Sequence, residues 1–471
     1  MSKSRLINVF WLFFEKFGLI LLSAASFFCF AIFLTPAQLG MGTLVIVYCE
    51  LVSSFFNAVF ENPLVRRNCE SNRELATVFW LGSILAVLSI LLIALVYFFI
   101  DDVSVVFLLI FSCISAISSV MARPFIAVLR CKRQFKALAI RTIWGKLLGA
   151  ICGITAAIYG LGAWSLIIQL NVMNLLALII LLLRNSNLIA VRPSFEDLFS
   201  LFREGNSIGL RKLQNGLFGR GLVIILSIAT SAATIGYYSF ARRLIDLPKQ
   251  SIVSSVNSYS LPVFSSRTKD SKVISNLFSE LTICSIILLF PIFVLMGIFG
   301  KELVIFVFGE KWLGAVDFLM IYAFISGIHV LTYFTDSLLA AYGQSKIGLK
   351  LEFLKSIILL IIAYYISSIY GLLGVALIIL LDVVFTIVIR ILSVKKLIVL
   401  NSWIIFTTVL KVIIPVSIIG GIVTYCLFIY DFSIFQIFII GFGTVMIMFS
   451  VLFVTSGNYI SRLQRLITDR H

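Results

Sequence analysis

Fourteen apolar segments, each about as long as a membrane-crossing helix, run along this sequence. A bilayer-spanning α-helix needs about 20 predominantly apolar residues. The strands of a membrane β-barrel would instead alternate apolar and polar residues, a pattern that is absent here. We therefore predict an all-α polytopic membrane protein with about 14 transmembrane helices. The segments lie approximately at 9–33, 41–60, 76–100, 104–122, 143–160, 164–183, 206–229, 235–261, 279–300, 316–340, 353–370, 372–391, 410–430 and 433–455.

The composition excludes several other classes of protein. Charged residues make up 12% and hydrophobic residues 61% of the 471 positions, whereas a soluble domain carries about 25% charged residues. A soluble enzyme, a nucleic-acid-binding module and a disordered chain are therefore excluded. Turn-forming or acidic residues separate segments that would otherwise fuse, and the clearest of these breaks are Thr35-Pro36, Asp101-Asp102, Tyr159-Gly160-Leu161-Gly162, Tyr370-Gly371 and Tyr430-Asp431.

The distribution of Lys and Arg predicts the orientation. With the N-terminus in the cytoplasm, the inner loops hold 29 of the 37 basic residues and the outer loops hold two, Lys301 and Lys311. Cytoplasmic loops of membrane proteins carry this excess. Both termini are then cytoplasmic. The net charge of +16 is largely explained by topology, so no nucleic-acid partner is expected.

Short matches six segments apart indicate an internal repeat. Thr35-Pro36-Ala37-Gln38-Leu39-Gly40 follows the first segment, and Ser231-Ala232-Ala233-Thr234-Ile235-Gly236 follows the seventh. A second pair joins Gln134-Phe135-Lys136 with Gln344-Ser345-Lys346, each leading to Tyr-Gly-Leu at positions 159 and 370. Because six is an even number, the two halves have the same orientation in the membrane. We predict two parallel six-helix lobes followed by two C-terminal helices.

These features divide the chain into five parts. Ser194 is expected to cap an amphipathic helix on the loop between the lobes, and the last residues have the pattern of a second surface helix. The predicted parts are an N-lobe at 1–183, a cytoplasmic linker with its amphipathic helix at 184–205, a C-lobe at 206–391, two further membrane helices at 410–455, and a cytoplasmic amphipathic tail at 456–471.

No feature of the sequence indicates catalysis. The outer loops are too short for a catalytic domain, and neither a phosphate-binding GxxxxGK[ST] loop nor an HExxH pair is present. The eight cysteines are scattered without a CxxC pair, so we expect neither a disulfide framework nor a metal site. We predict a transporter without a cofactor, driven by an ion gradient or by the gradient of its own substrate.

Basic residues inside the apolar segments are the first candidates for a binding site. A charge at membrane depth costs at least about 2.5 kcal/mol on insertion scales, so it is a functional candidate by default. We expect Arg220, Arg242, Arg243 and Lys249 to line a cationic cavity. Arg forks bind phosphate oxygens, so a diphosphate would be a suitable ligand. Asp246 lies four residues after Arg242, and an internal ion pair that holds the bundle together is the alternative interpretation.

Acidic residues in the segments are candidates for ion coupling. A carboxylate at this depth relays protons, binds Na⁺ or pairs with a neighbouring base, and the sequence leaves these roles open. The candidate coupling residues are Glu15, Glu50, Asp246, Asp336 and Asp382. His329 is expected to be a packed core histidine.

Three motifs resemble those of bacterial polysaccharide transporters. Residues 34–40, 235–243 (Ile-Gly-Tyr-Tyr-Ser-Phe-Ala-Arg-Arg) and 308–315 (Phe-Gly-Glu-Lys-Trp-Leu-Gly-Ala) are similar to those of the O-antigen and exopolysaccharide flippases of the multidrug/oligosaccharidyl-lipid/polysaccharide exporter superfamily. The likeness extends roughly over residues 1–395. It implies a non-catalytic protein of the bacterial inner membrane that moves an undecaprenyl-diphosphate-linked oligosaccharide to the periplasmic leaflet. It also implies a polysaccharide polymerase as partner. The motifs are expected to be structural, since they lie at helix ends.

Three other functions remain open. A lipid II flippase has the same architecture and a related diphosphate substrate. A multidrug/cation antiporter of the same superfamily is opposed by the basic residues of segments seven and eight, because its cavity would be acidic. A membrane glycan polymerase or ligase would need a larger periplasmic loop.

Overall fold

The computed structural model describes residues 3–98, 103–183, 191–266, 271–344, 349–398, 402–429, 436–437 and 439–452. All regular secondary structure in these residues is helical. The helices are α1 (Lys3–Phe33), α2 (Pro36–Arg66), α3 (Asn72–Thr77), α4 (Ser83–Phe98), α5 (Val103–Met121), α6 (Arg123–Cys131), α7 (Phe135–Ile158), α8 (Trp164–Leu182), α9 (Phe195–Ala229), α10 (Ala232–Ser266), α11 (Ser271–Ile298), α12 (Gly300–Phe308), α13 (Val316–His329), α14 (Thr335–Ala341), α15 (Leu349–Lys395) and α16 (Ser402–Ile429). A π-helical turn (Val78–Gly82) and two 3₁₀ turns (Glu310–Ala315 and Val330–Thr332) lie between them.

The helices confirm a polytopic membrane protein. Within the described residues, nine helical stretches are long and apolar enough to cross a bilayer, and shorter apolar helices cover 17–33, 216–229 and 439–452. The α15 stretch accounts for two predicted segments, because Gly371 interrupts it with φ 55° and ψ −129°. The break predicted at Tyr370-Gly371 is therefore present. The breaks predicted at Asp101-Asp102 and Tyr430-Asp431, and the tail at 456–471, lie outside the described residues.

The chain forms two compact units, Met1–Ser239 and Phe240–His471. In the first unit α2 is the central helix and packs against α5, α6, α8 and α9, while α7 packs against α1 and α8. In the second unit α11 packs against α13 and α16, and α13 packs against α15. Large apolar side chains such as Phe60 and Phe125 in the first unit and Phe290 and Phe293 in the second are fully buried.

The motif at residues 34–40 forms the start of α2, which contacts the start of α10. Thr35 caps α2 through a capping box with Gln38, as expected for a polar residue that satisfies free N–H groups. A side chain on Gly40 would overlap the carbonyl oxygen of Ala232, and one on Gly236 would overlap that of Pro36. Glycine is therefore required in both repeated motifs, because α2 and α10 approach so closely that no Cβ atom fits between them.

The motif at 308–315 builds a buried aromatic stack in the second unit. Gly309 turns the chain after α12 with φ 85°, a conformation that favours glycine. The turn places Trp312 in the core, fully buried, with its ring 4.1 Å from that of Phe240 in a stacked arrangement. Phe308 packs edge-on against the same Phe240 ring. The expectation that these motifs are structural agrees with this packing.

Helix α9 runs without interruption through the boundary that the sequence placed at residues 205 and 206. Ser194 caps it, as predicted, by accepting a hydrogen bond from the Asp197 amide. Gly205 does not end the helix; it brings α9 so close to α2 that a Cβ atom would overlap the Val59 carbonyl oxygen. The linker helix and the following membrane segment are therefore one helix that packs along α2.

Ion pairs tie the start of α9 to the end of α2 and to α3. The Arg67 guanidinium lies 2.7 Å from a Glu204 carboxylate oxygen and 2.6 Å from one of Glu74. Arg73 pairs with Asp197 at 3.1 Å. These contacts fix the end of the first unit that is predicted to face the cytoplasm.

Candidate functional site

A stripe of polar residues follows one face of α2 in the first unit. Its members recur at helical spacing, and they are Glu50, Ser53, Ser54, Asn57 and Glu61. With a rise of 1.5 Å per residue, the stripe spans about 16 Å of the helix axis. Polar groups inside an apolar bundle need partners or water. The stripe therefore marks a path from the middle of the bundle towards one end.

Serines of α5 and asparagines of α8 face this stripe. Asn57 donates from Nδ2 to Ser119 Oγ at 3.2 Å, and Asn174 donates from Nδ2 to Ser115 Oγ at 2.6 Å. The neighbouring Asn171 is buried and donates to the Phe111 carbonyl at 2.9 Å. These bonds fix the orientation of the amides. The Asn57 Oδ1 atom is buried and accepts no hydrogen bond from the described residues.

The stripe and its partners enclose a cavity of about 230 Å³, which we name the polar pocket. Its uncharged polar walls come from three helices, and they are formed by Ser53, Ser54, Asn57, Ser115, Ser119 and Asn174. Glu50 and Arg220 are the charged residues among those that line it. Arg220 Nε lies 3.7 Å from Glu50 Oε2, so these opposite charges balance within the pocket.

A glycine makes the position of Arg220 possible. Gly216 lies one helical turn before Arg220 on α9, and a Cβ atom there would overlap the Arg220 guanidinium. The guanidinium therefore folds back over the missing side chain. Arg220 and Glu50, which the sequence singled out for different roles, meet at the polar pocket.

A wider cavity of about 400 Å³ adjoins the polar pocket and shares Ser54 and Asn57 with it. Its charged lining consists of four basic residues and one acid, which are Arg123, Arg130, Arg211, Lys212 and Glu61. The basic side chains exceed the acid by three charges. We name this cavity the basic vestibule. It lies towards the end of the unit that is predicted to face the cytoplasm.

The single acid of the vestibule is held by two of its bases. Glu61 is buried, with Arg123 Nη1 at 3.0 Å from one carboxylate oxygen and Arg130 Nη1 at 2.5 Å from the other. Arg211 and Lys212 are exposed. Two bases thus neutralise and position the acid, and the two exposed bases give the vestibule most of its attraction for anions.

The basic candidates on α10 lie in the second unit. Arg242 pairs with Asp246 at 3.5 Å, and Lys249 Nζ lies 4.0 Å from the same carboxylate. The structure therefore brings Arg242 and Lys249 together around the carboxylate of Asp246. Arg243 lies on the same helix and is partly buried.

An aromatic pair packs beside this α10 cluster. Lys249 Nζ lies 5.6 Å from the centre of the Tyr333 ring. His329 packs edge-on against the same ring, which places it as the packed histidine that the sequence predicted.

The remaining acidic candidates pair with bases of α15. Lys355 Nζ lies 2.6 Å from Asp382 Oδ1. Arg390 pairs with Asp336 and with Glu352. Lys355 and Arg390 lie near the ends of the predicted segments 353–370 and 372–391 and were counted with the bases of the inner loops, whereas the structure places both inside α15, paired with acids. Glu15 lies in α1, but its side chain is outside the described part of the structure.

Sequence reasoning also missed the four bases of the vestibule. Arg123, Arg130, Arg211 and Lys212 were counted among the 29 inner-loop bases and contributed only to orientation, although Arg211 and Lys212 lie at the start of the predicted segment 206–229. A signal was present, because Arg123 continues the serine stripe of α5 at Ser112, Ser115 and Ser119 with helical spacing. Among the described residues, no group of three or more His, Cys, Asp or Glu side chains could hold a metal ion.

Comparison with known proteins identifies the family. A family model described as "Polysaccharide biosynthesis protein" matches residues 29–317, which is more than half of the chain. The chain belongs to this family of polysaccharide biosynthesis proteins. The match includes the polar pocket and the basic vestibule, and the resemblance predicted from the motifs is confirmed.

Two characterised relatives match parts of the chain. Teichuronic acid biosynthesis protein TuaB of Bacillus subtilis (strain 168) is 26% identical over 137 residues, 29% of this chain and 28% of the relative. Succinoglycan biosynthesis transport protein ExoT of Rhizobium meliloti (strain 1021) is 26% identical over 207 residues, 42% of this chain and 40% of the relative. The aligned regions therefore span less than half the length of either relative.

Solved structures share the fold. The lipid II flippase MurJ in an inward closed conformation superposes with a TM-score of 0.74 over 94% of this chain and 99% of that one, at 14% identity. An inward-facing multidrug resistance MATE family transporter of the MOP superfamily gives 0.61 over 80% and 94%, at 15% identity. This family member therefore has the fold of the MurJ and MATE transporters.

Proposed function

We propose that this polysaccharide biosynthesis protein is a flippase for lipid-linked oligosaccharides. It moves an undecaprenyl-diphosphate-linked repeat unit from the cytoplasmic to the periplasmic leaflet of the bacterial inner membrane. The observation that carries the proposal is the basic vestibule, with its excess of three positive charges beside a hydrogen-bonding pocket. Such a site suits a ligand that joins an anionic group to a polar one.

The chemistry of the vestibule favours a phosphate ligand. Guanidinium groups bind phosphate oxygens through paired, charge-assisted hydrogen bonds. Arg211 and Lys212 are exposed and available, while Arg123 and Arg130 already hold Glu61. An organic cation would meet repulsion here, so the charge opposes a cation antiporter.

The names of the relatives support a saccharide as the polar part of the ligand, attached to the anionic phosphate part. Teichuronic acid and succinoglycan are named in the two matched proteins, and both are saccharide polymers. MurJ is named as a lipid II flippase. A polyprenyl diphosphate is the anchor that such saccharides would share, and lipid II is the nearest alternative cargo.

Transport would follow from alternating access of two lobes. In this proposal Arg220 of the first unit and Arg242, Arg243 and Lys249 of the second receive the diphosphate as the lobes rock. Both termini lie in the cytoplasm. Coupling to H⁺ or Na⁺ would use acids such as Asp246 or Asp382, and a polysaccharide polymerase would receive the product. No step requires catalysis or a cofactor.

Proteoliposomes test this function directly. A fluorescent undecaprenyl-diphosphate oligosaccharide is placed in the membrane, and its exposure is followed with an impermeant quencher. The wild type is expected to translocate it, and Arg211→Ala with Lys212→Ala is expected to slow translocation about tenfold or more, because a charge-assisted bond contributes about 1.5–3 kcal/mol. Lys132→Ala is the matched control, since Lys132 is an exposed base at the end of α6 outside the vestibule.

Two results would contradict the proposal. The first is wild-type protein that leaves the labelled lipid in its original leaflet. The second is a double variant that transports as fast as Lys132→Ala at equal protein level. Faster transport of fluorescent lipid II than of other polyprenyl-diphosphate saccharides would favour the alternative cargo.

A further inference from the structure

The polar pocket has a chemistry different from that of the vestibule. We propose that it is a separate subsite, which hydrogen-bonds an uncharged sugar attached directly to the diphosphate. Asn57 and Asn174 are its recognition residues. This inference rests on the proposed function and assigns a specificity-determining role to residues that carry no charge.

The walls of the polar pocket match the hydroxyl groups of a sugar. Serine hydroxyls both donate and accept hydrogen bonds, and asparagine amides do so through separate atoms. The Nδ2 groups of Asn57 and Asn174 bond to Ser119 and Ser115. These bonds fix the orientation of the two amides and do not involve the side-chain carbonyl of Asn57. The oxygen of that carbonyl is buried and accepts no hydrogen bond from the described residues. A buried acceptor of this kind is costly unless a ligand or water donates to it.

The charge balance of the pocket favours an uncharged sugar. Arg220 and Glu50 face each other at 3.7 Å, so their charges cancel at the pocket. The excess positive charge lies in the basic vestibule instead. While the diphosphate is in the vestibule, before the lobes rock, an acidic sugar would have to compete with Glu50 for Arg220, whereas an uncharged sugar leaves that pair intact. The pocket therefore selects by hydrogen bonding.

The arrangement of the two cavities matches the covalent order of the ligand. Ser54 and Asn57 line both of them, so groups bound in the two cavities are neighbours. The larger cavity, of about 400 Å³, holds the basic residues, and the smaller one, of about 230 Å³, holds the amides. A diphosphate in the vestibule would place its first sugar in the polar pocket.

Binding of two soluble probes to the purified full-length protein tests the subsite. The probes are farnesyl diphosphate and farnesyl diphosphate linked to glucose, and the linkage both adds the sugar and removes one ionisable oxygen of the terminal phosphate. Tighter binding of the glucose probe therefore cannot come from attraction between charges. For the wild type, the glucose probe is expected to bind at least tenfold more tightly. Asn174→Ala is expected to weaken the glucose probe about tenfold, the usual effect of leaving a buried partner unpaired, and to leave farnesyl diphosphate unchanged, because Asn174 lines the polar pocket and not the vestibule. Asn57 lines both cavities, so Asn57→Ala is expected to weaken the glucose probe more than farnesyl diphosphate.

Matched variants separate recognition from folding. Asn72→Ala is the control, because Asn72 is an exposed asparagine of α3 away from both cavities. If Asn57→Ala lowers the melting temperature, two other variants decide the outcome. These are Asn174→Ala and Ser53→Ala, and each removes one polar group from the wall of the polar pocket. A third probe that carries glucuronate in place of glucose is expected to bind more weakly than the glucose probe.

The outcomes distinguish this inference from the proposed function. If the wild type binds neither farnesyl probe, the diphosphate function itself fails. If the wild type binds both probes equally, and the Asn174→Ala and Ser53→Ala variants do the same, diphosphate binding in the vestibule is supported and the sugar subsite is disproved. Tighter binding of the glucuronate probe would overturn the selection for an uncharged sugar.

Discussion

Lys355 and Asp382 form a buried ion pair between the two arms of α15 that Gly371 separates. The Lys355 ammonium lies 2.6 Å from Asp382 Oδ1, and the two side chains are only 11% and 16% exposed. The same ammonium lies 2.6 Å from Thr386 Oγ1 and 3.5 Å from the Asp382 carbonyl oxygen. Three oxygens therefore surround this charge, as they would a bound cation.

Removing either partner of this pair is expected to destabilise the second unit. Lys355→Met leaves a buried carboxylate and Asp382→Asn leaves a buried ammonium, and breaking a buried pair costs about 3–5 kcal/mol. The double variant Lys355→Met with Asp382→Asn is expected to lose less than the sum of the single variants, because it leaves no unpaired charge. Thermal unfolding in detergent measures all three.

The same experiment bears on ion coupling. An acid that serves only in coupling would lower transport when neutralised and leave stability unchanged. Asp382→Asn is expected to lower both. Additive losses in the double variant would contradict the pairing, and Ser368→Ala, an exposed change on the same helix, provides the reference.

The α15 pairs show where sequence reasoning reached its limit. Hydropathy located the segments, and the Gly371 break was predicted because Tyr-Gly interrupts an apolar run. Asp382 was recognised as a charge at membrane depth, but its partner Lys355, near the start of the predicted segment 353–370, was counted only with the bases of the inner loops. Spacing in the sequence shows which residues share one face of a helix. Pairing across the break at Gly371 depends instead on how the two arms of α15 pack, which spacing does not show.

Arg123 and Arg130 are expected to differ in their effect on stability although both pair with Glu61. Arg123 is 22% exposed and Glu61 8%, so Arg123→Ala leaves a buried carboxylate with one partner fewer and costs about 3 kcal/mol. Arg130 is 53% exposed, and solvent screening reduces the loss in Arg130→Ala to below about 1 kcal/mol. The midpoint of thermal unfolding measures both variants.

A rescue variant identifies the cause of the Arg123 effect. In Arg123→Ala with Glu61→Gln the buried carboxylate is gone, so part of the lost stability is expected to return. Equal losses for Arg123→Ala and Arg130→Ala, or no recovery in the double variant, would contradict the burial argument.

The vestibule itself illustrates a second limit of the sequence. Its basic residues are spread over α6 and α9, and they come together only because glycines let α9 pack closely along α2. The orientation argument counted these charges in the predicted excess of the inner loops but gave them no further role. The polar stripe on α2 was visible as a helical spacing, yet the cavity beside it depends on which helices face that stripe.

Gly40 and Gly236 are expected to tolerate no side chain. In Gly40→Ala the new methyl group would overlap the Ala232 carbonyl, and in Gly236→Ala it would overlap that of Pro36. Backbone atoms cannot move aside as a flexible side chain can, so the start of α2 must separate from that of α10. We expect a loss of at least about 1–3 kcal/mol, the usual cost of overpacking.

Gly421→Ala is the matched control for this prediction. Gly421 lies in α16, and no atom lies within 4 Å of the position its Cβ would take. Replacing a helical glycine by alanine at such a site is neutral or stabilising. Folded yield and unfolding temperature should therefore fall for Gly40→Ala and Gly236→Ala alone. A Gly40→Ala variant as stable as Gly421→Ala would disprove the close approach of the two helix starts.

Cys69 and Cys131 are expected to form a disulfide on mild oxidation, although no spacing in the sequence predicts that these two residues pair. Cys69 lies in the turn after α2 and Cys131 at the end of α6, and their sulfurs lie 2.9 Å apart. Copper phenanthroline would remove two electrons and two protons from the pair and join it within one chain. Peptide mass mapping is expected to find these two cysteines linked to each other, and Cys152 of the apolar helix α7 linked to no other cysteine.

The pH dependence of this reaction provides its control. Burial, together with the neighbouring Cys131 thiol, raises the pKa of Cys69. Since the thiolate is the reactive form, alkylation of Cys69 in a Cys131→Ser variant should be slow at neutral pH. Its rate should then rise with pH over a more alkaline range than in the same variant unfolded in SDS, where the burial is lost. Equal rates for the folded and the unfolded variant at neutral pH, or a wild-type peptide map that links Cys69 to a cysteine other than Cys131, would show that the turn after α2 does not pack against α6 in this way.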